Sequence, residues 1–175
     1  NGKAVVFEGP EDYHKRINDK KLKIDENSIL IIRGCGPVGY PGSAEVVNMQ
    51  PPDRLLKKGI THLPTLGDGR QSGTSESPSI LHVSPESAVG GDLGIVKTGD
   101  KMKIDLNKRR VDLLISQLEF KKRRKNKKLF KANNQTPWQE IFRDTVGQLE
   151  DGACINSRGN YLDISNKKGL PRNSH

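Results

Sequence analysis

The sequence is poor in cysteine, in aromatic residues and in long apolar runs. Its 175 residues include two cysteines, and aromatic side chains make up 5% of the total. Cys35 and Cys154 are lone thiols without a CxxC pair or paired histidine ligands, which excludes a disulfide scaffold and favours a reducing compartment. No apolar run approaches the roughly 20 residues that cross a bilayer. We therefore expect a soluble protein of the cytoplasm, or of mitochondria if the source is eukaryotic.

The N-terminus has neither an initiator methionine nor the apolar centre of a signal peptide. A Gly-Lys step leads directly into the strand-like stretch AVVF, as if the chain entered from a preceding domain. We expect the sequence to be a fragment of a longer protein. Its length allows one domain with a buried core and a helical appendage.

Positive charge is concentrated in one segment. The net charge is +9 at pH 7, and the basic run at residues 121–131 (KKRRKNKKLFK) contains eight Lys and Arg side chains and no acid. Nucleic-acid binding usually adds aromatic residues between such charges, and only Phe120 and Phe130 lie at the ends of this run. We interpret it as a helix with a solvated basic face, with Leu118, Leu129 and Phe130 facing inward. We expect neither a nucleic-acid nor a membrane partner.

Apolar and turn-forming residues predict a β-α-β unit at the start of the chain. AVVF and SILIIR are its strands, and Pro10 followed by two acids begins the helix between them. Further short helices are predicted from Ser43 and in PPDRLLKKG, which Gly59 ends. Residues 93–116 alternate and turn twice, which predicts a three-stranded antiparallel meander.

Two helices are predicted after this meander. Ser116 and Glu119 form an S-x-x-E capping box that begins the first helix. Thr136 and Pro137 begin the second, whose apolar residues recur on one face. These residues are Trp138, Ile141, Phe142, Val146 and Leu149.

The first glycine loop (residues 34–42, GCGPVGYPG) has the spacing G-x-G-x-x-G after a predicted strand. A dinucleotide fingerprint needs a helix that begins inside the motif, and Pro37 and Pro41 prevent this. The pattern favours a rigid loop whose glycines let a ligand approach the backbone, and a tight strand-to-helix connection is the alternative. Glu45, predicted in the short helix that follows, could bind Mg²⁺ or could be an ordinary solvated acid at a helix start.

The second glycine loop (residues 67–75, GDGRQSGTS) is neither a P-loop nor a nucleophile elbow. It lacks both the Gly-Lys-Ser/Thr sequence and the G-x-S-x-G frame. Arg70 offers a fork for a carboxylate, and Ser72 and Thr74 offer hydroxyls between glycines that expose backbone amides. This chemistry suits an anion or a polyol, although a turn rich in small residues would also contain many of these residue types.

Four stretches in order between residues 2 and 119 resemble the C-terminal domain of the dihydroxy-acid and sugar-acid dehydratases, the IlvD/Edd family. They are AVVFEGPEDY, IIRGCGPVGYPGSAEV, LGDGRQSGTSESPSILHVSPESAVGG and VKTGDKMKID. Beyond them, TPWQEIFRDTVGQLEDGACI and the terminal LPRNSH resemble the extension of the aldonate branch, which acts on acids such as arabinonate and xylonate. The RQSGTS form of the second loop is similar to that branch as well.

The resemblance implies an α/β fold. The expected architecture is a swivelling β/β/α domain, with a barrel-like mixed sheet flanked by helices and a C-terminal helical extension. The swivelling domain would span residues 1–119, and residues 120–175 would form the basic helix, the second helix and a tail packed on the domain. The cluster-binding N-terminal domain of the family is absent from this chain.

The resemblance also implies a hydro-lyase reaction, in which a sugar acid (an aldonate) loses water to give a 2-keto-3-deoxy acid. Family members use an iron–sulfur cluster and Mg²⁺, and the cluster ligands belong to the N-terminal domain. Carried over to this sequence, Glu45 is a Mg²⁺ ligand and Ser72 is the catalytic base. Thr74, Arg70 and His175 are assigned to substrate binding.

Cys35 and Cys154 lie outside the cluster motifs of the family and are not expected to bind the cluster. The expected partners are the sugar-acid substrate, the N-terminal domain of the same protein and further copies in a dimer or tetramer, and the isolated fragment is expected to be inactive. Three alternatives stay open. They are a branched-chain dihydroxy-acid dehydratase domain, a catalytically silent binding module, and a nucleic-acid binder whose association through residues 121–131 would be salt-sensitive.

Overall fold

The computed structural model of the protein describes residues 1–42, 45, 48–71, 77–127 and 130–155. Within these residues, six strands form one mixed sheet. They are β1 (Gly2–Glu8), β2 (Ser28–Arg33), β3 (Thr65–Gly67), β4 (Ser79–Ile80), β5 (Lys101–Asp105) and β6 (Arg110–Leu113). The order in the sheet is β4-β3-β2-β1-β5-β6; β1 to β4 are parallel, and β5 is antiparallel to both its neighbours.

Four helices accompany the sheet in the described part of the chain. They are α1 (Gly9–Arg16), α2 (Asp53–Leu56), α3 (Gln117–Lys125) and α4 (Pro137–Thr145). The sheet curls into a half-barrel, so the predicted α/β class with a barrel-like mixed sheet is confirmed. Among the described residues, no helix combines the length and the apolar character needed to cross a membrane.

The predicted β-α-β unit is confirmed. β1 and β2 are parallel neighbours, with Val5 beside Leu30. The sheet is covered on both faces, by a cluster that includes Phe7 and Tyr13 on one side and by a cluster that includes Leu93 on the other. Strands buried on both faces need continuous apolar runs, and SILIIR is such a run.

The short helix predicted before Gly59 is confirmed as α2. Gly59 has a φ of +80°, and its amide donates to the carbonyl of Leu56. This left-handed residue ends the helix without steric cost. The other short helix, predicted from Ser43, lies mostly outside the described residues. Glu45 forms a parallel β-bridge with Arg70, so its placement in a helix is wrong.

The predicted three-stranded meander is wrong in its first strand. Asp92–Ile95 is a 3₁₀ turn, and β5 pairs with β1 and β6 instead. The guanidinium of Arg33 donates hydrogen bonds of 2.8–3.1 Å to three carbonyls at this turn, those of Leu93, Gly94 and Val96. Because these carbonyls converge on one side chain, they are not free to form a strand ladder.

Both predicted C-terminal helices and their N-terminal caps are confirmed, but α4 ends at Thr145, so Val146 and Leu149, which were predicted on its apolar face, lie outside it. The hydroxyl of Ser116 accepts a hydrogen bond from the amide of Glu119 at 3.2 Å. The hydroxyl of Thr136 accepts one from the amide of Gln139 at 3.3 Å. The predicted domain boundary after residue 119 falls within α3, and the division into two regions stays a prediction.

The inward orientation predicted for Leu118 and Phe130 is wrong, since these side chains are 80% and 38% exposed. Leu129 lies outside the described residues. α3 is held by Arg123, whose Nη1 lies 2.5 Å from a carboxylate oxygen of Asp100. Both partners of this ion pair are only about a tenth exposed. α3 is therefore attached through a charged contact, whereas the sequence predicts attachment by apolar packing.

Candidate active site

The candidate site lies at the carboxyl ends of the parallel strands. β2 ends at Arg33 and leads into the first glycine loop, and β3 ends at Gly67 and leads into the second. Because neighbouring parallel strands end at the same edge, the two loops meet there. This edge is where open α/β sheets bind ligands.

Asp68 ties the two loops together. Its carboxylate is fully buried and accepts hydrogen bonds from the amides of Cys35 at 2.9 Å and Gly34 at 3.1 Å. It also accepts from the amide of Ser87 at 2.9 Å and from the Ser87 hydroxyl. Buried carboxylates are stable only when their oxygens are satisfied in this way. One side chain thus fixes the start of both loops against the turn at Ser87–Val89.

Glu86 holds the middle of the first loop. Its carboxylate is fully buried, and it accepts from the amides of Val38 and Gly39, both at 2.8 Å. A Cβ atom on Gly36 would lie 2.5 Å from a Glu86 carboxylate oxygen. Gly36 therefore makes room for the carboxylate that binds the loop.

Glycines at this edge also allow the loops to pack closely. A Cβ on Gly39 would lie 2.6 Å from the carbonyl oxygen of Gly34, and one on Gly69 would lie 2.5 Å from that of Cys35. These neighbours are backbone atoms, which cannot move aside easily. The glycines expected to admit a ligand are thus used, at these positions, for contacts within the protein.

Two of the predicted site residues come together. Glu45 and Arg70 form a parallel β-bridge, which joins the end of the first loop to the second, and both side chains are exposed. Their side chains carry opposite charges. Ser72, Thr74 and His175 lie outside the described residues.

Within the described residues, neither thiol belongs to a cluster of metal-ligating side chains. Cys35 is fully buried, and burial, reinforced by the neighbouring Asp68 carboxylate, raises the pKa of its thiol well above its ordinary value. Across the described ranges, no group of three or more His, Cys, Asp or Glu side chains is placed to hold a metal ion. An iron–sulfur cluster does not fit these residues, whereas the Glu45 carboxylate fits one position of a Mg²⁺ shell.

Asp68 and Ser87 carry no role predicted from the sequence, and three further polar residues at this site were missed: Glu86, Arg143 and Gln148. Gln148 exchanges two hydrogen bonds with Glu86, and Arg143 donates to carbonyls of the first loop. The sequence carries only a weak signal for Glu86, as a single acid in a small-residue stretch. For the other two it carries none, because each is an ordinary polar residue in or just after a helix.

Fold and site together define an α/β domain whose functional edge is built from two glycine loops held by buried carboxylates. The model of the dihydroxy-acid/6-phosphogluconate dehydratase C-terminal domain matches residues 1–153. The chain belongs to this family, as its four stretches of resemblance predict.

Curated relatives place the chain within the family. It is 56% identical over 173 residues to D-xylonate dehydratase of Caulobacter vibrioides, covering 99% of this chain and 29% of the relative. It is 51% identical over 122 residues to L-arabinonate dehydratase of Rhizobium leguminosarum bv. trifolii, covering 70% and 21%. Dihydroxy-acid dehydratase of Thermodesulfovibrio yellowstonii is 39% identical over 155 residues, covering 88% and 28%. The chain spans less than a third of the length of these relatives.

Proposed function

We propose that this chain is the C-terminal domain of a hydro-lyase that dehydrates a sugar acid to a 2-keto-3-deoxy acid. The observation that carries the proposal is the β-bridge between Glu45 and Arg70, which joins the two glycine loops at the carboxyl edge of the sheet. The bridge sets the backbones of these two residues side by side; a Glu carboxylate can bind a hard cation, and an Arg guanidinium can form a fork for a carboxylate. Those are the two groups that a carboxylic acid substrate bound to Mg²⁺ requires.

Ser72 is the proposed base, two residues beyond Arg70. As an alkoxide, it takes the C2 proton; the C3–O bond then breaks, the departing hydroxide takes up that proton as water and so regenerates the alkoxide, and the enol product tautomerises to the keto acid. A serine hydroxyl needs a nearby cation to lower its pKa for this role. Arg70 and the cation held by Glu45 would provide positive charge near the loop. Thr74 and His175 are proposed to contact substrate hydroxyls.

Mg²⁺ would be held by Glu45 together with ligands from the N-terminal domain, and it supplies positive charge that stabilises the carbanion formed at C2. The iron–sulfur cluster is assigned wholly to that domain, because neither cysteine of this chain suits it. The isolated chain is therefore expected to be inactive. We further propose that the complete protein forms a dimer or tetramer.

The aldonate substrate class is supported by the names of the relatives. Identity is 56% and 51% to the D-xylonate and L-arabinonate dehydratases and 39% to the dihydroxy-acid dehydratase given above. The similarity to the first of these extends through the C-terminal segment, which includes Arg143 and Gln148 at the loop.

The test is a keto-acid assay of the full-length protein, purified anaerobically with Mg²⁺. Its substrates are D-xylonate, L-arabinonate and a branched 2,3-dihydroxy acid. Product from the aldonates alone is expected. Product from the branched acid alone would overturn the substrate class, and no product from any of them with an intact cluster would overturn the proposed activity.

A further inference from the structure

We propose that Arg143 and Gln148 are positioning residues, which hold the first glycine loop and through it set the place of Glu45. This inference rests on the proposed function for its catalytic meaning. Neither residue would touch the substrate, and both act through the Val38–Gly39 segment.

Arg143 binds the carbonyl side of that segment. Its Nε donates to the carbonyl of Val38 at 2.8 Å, and its Nη2 is 3.4 Å from the carbonyl of Gly39. The remaining nitrogen, Nη1, bonds to Asn133 and Asn134 in the stretch before α4. The guanidinium therefore links the loop to the stretch before α4, since Nε and Nη2 bond to the loop and Nη1 bonds to Asn133 and Asn134.

Gln148 supports the amide side of the same segment. Its Oε1 accepts from the amide of Glu86 at 2.9 Å, and its Nε2 donates to Glu86 Oε1 at 2.9 Å. The Glu86 carboxylate in turn accepts the amides of Val38 and Gly39. Both the N–H and the C=O groups of these two loop residues are thus held, directly or through one side chain, by the C-terminal segment.

The contacts of α4 indicate that this arrangement does more than pack a helix. None of its residues is buried, and Trp138 and Ile141 are 77% and 52% exposed. Arg143 nevertheless reaches main-chain atoms of the loop, 105 residues away in sequence. The polar contact of Arg143 therefore connects a largely exposed helix specifically to the first glycine loop.

The loop can transmit a displacement to the site because it is tightly closed. The amide of Tyr40 donates to the carbonyl of Gly36 at 2.8 Å, and Gly39 packs on Gly34. Glu45 follows six residues after Gly39 and forms the bridge to Arg70. In the proposed arrangement, movement of Val38–Gly39 shifts the chain that leads to Glu45 and so changes where its carboxylate stands relative to a cation.

The experiment uses the full-length protein with Arg143→Ala and Gln148→Ala, and Arg124→Ala as a matched control. Arg124 is another arginine of the C-terminal helices, and its ion pair is with Asp92, with both side chains more than half exposed. Three quantities are measured: the Mg²⁺ dissociation constant by calorimetry, amide hydrogen exchange at residues 38 and 39, and keto-acid turnover as kcat and KM.

For both variants we expect faster exchange at residues 38 and 39 and roughly 10- to 100-fold weaker Mg²⁺ binding, as is usual when groups that orient a metal ligand are removed. We expect kcat to fall by a similar factor while KM for the sugar acid changes less. Arg143→Lys, which keeps the charge but loses the fork, should restore only part of the effect. Arg124→Ala should match wild type in all three measurements.

Unchanged Mg²⁺ binding in Arg143→Ala and Gln148→Ala would overturn the inference, whether or not exchange becomes faster. A wild-type protein that binds Mg²⁺ but makes no keto acid would contradict the proposed function alone, since calorimetry and exchange would still test the positioning role. Loss of Mg²⁺ affinity in the control as well would show a general effect of losing charge and would also overturn the inference.

Discussion

The first glycine loop and the basic run at residues 121–131 are attached to the protein in opposite ways. The loop carries almost no charge of its own, and two fully buried carboxylates, Asp68 and Glu86, satisfy its amides. The basic run holds eight cationic side chains, and one of them, Arg123, makes its nearly buried ion pair. Most of the other described cations of the run are exposed to solvent.

The difference teaches where to look for function in this molecule. A dense cluster of charge on a solvated face changes stability little and holds few neighbouring groups in place. A buried carboxylate is costly unless every oxygen is paired, so it persists where the geometry it holds is needed. The buried acids therefore mark the functional edge of the sheet better than the net charge of the chain does.

The largest effect is expected from Asp68→Ala. Removing this carboxylate leaves the amides of Cys35 and Ser87 without their Asp68 acceptor, while the amide of Gly34 keeps the Ser87 hydroxyl as an acceptor at 2.9 Å. We expect the free energy of unfolding to fall by roughly 3 kcal/mol or more, because each unpaired buried donor costs about 1–3 kcal/mol. Urea denaturation of the full-length protein measures this loss in unfolding free energy, and Asp92→Ala, at an exposed residue, is the control. A loss no larger than that of the control would remove the distinction between the two regions.

A smaller loss is expected from Arg123→Ala in the basic run. The substitution leaves the Asp100 carboxylate, about 10% exposed, without its guanidinium. We expect about 2 kcal/mol of destabilisation, since hydrogen bonds to charged groups contribute about 1.5–3 kcal/mol. The midpoint of urea unfolding is the measurement. A loss equal to that of Asp68→Ala would show that the basic run is held as firmly as the loop.

The ion pair between Asp12 and Arg16 is partly exposed, and acidification tests how much it contributes to stability. The Arg16 guanidinium, hydrogen-bonded to Asp12, lowers the pKa of that carboxyl below its ordinary value of 3.8. A lowered folded pKa contributes stability that is complete above the unfolded pKa and is lost as pH falls through the folded one. The stability difference between wild type and Asp12→Asn should therefore be constant from pH 7 to about 5 and shrink below about 4. Melting temperatures across this range give the result, and a difference that grows towards acid would contradict it.

The smallest effect is expected from neutralising the exposed lysines of the basic run. Lys121→Gln with Lys125→Gln removes two solvated charges of α3 that make no buried contact. We expect a change in unfolding free energy within about 0.5 kcal/mol, as for most surface substitutions. Turnover should equal that of wild type. A clear loss of turnover would show that the run has a role in the complete protein.

The sequence predicts those parts of the fold whose signals are local. The strands of the β-α-β unit are apolar runs, and the caps at Ser116 and Thr136 bind amides three residues away. The prediction of the first meander strand is wrong because Arg33, about 60 residues earlier, donates hydrogen bonds to the carbonyls of that stretch. Local alternation carries no information about such a partner.

The sequence predicts only part of the candidate site, again because local patterns carry no information about distant partners. Arg70 lies in the second glycine loop and Glu45 three residues after the first, and the structure joins the two residues by a β-bridge. Glu86 and Arg143 are separated from their loop partners by 48 and 105 residues, and those partners are backbone groups of Val38 and Gly39. Backbone amides and carbonyls are present at nearly every position, so no residue type in the loop indicates which distant side chain binds it.

The most direct test of the account is the turnover of Ser72→Ala in the full-length protein, with Thr61→Ala, an exposed hydroxyl outside both loops, as control. The measurement is keto-acid release from D-xylonate and L-arabinonate, together with the visible absorbance of the iron–sulfur cluster. The account predicts that Ser72→Ala retains the cluster and releases no detectable keto acid, while the control matches wild type. Turnover near the wild-type rate in Ser72→Ala would contradict the claim that this domain supplies the base.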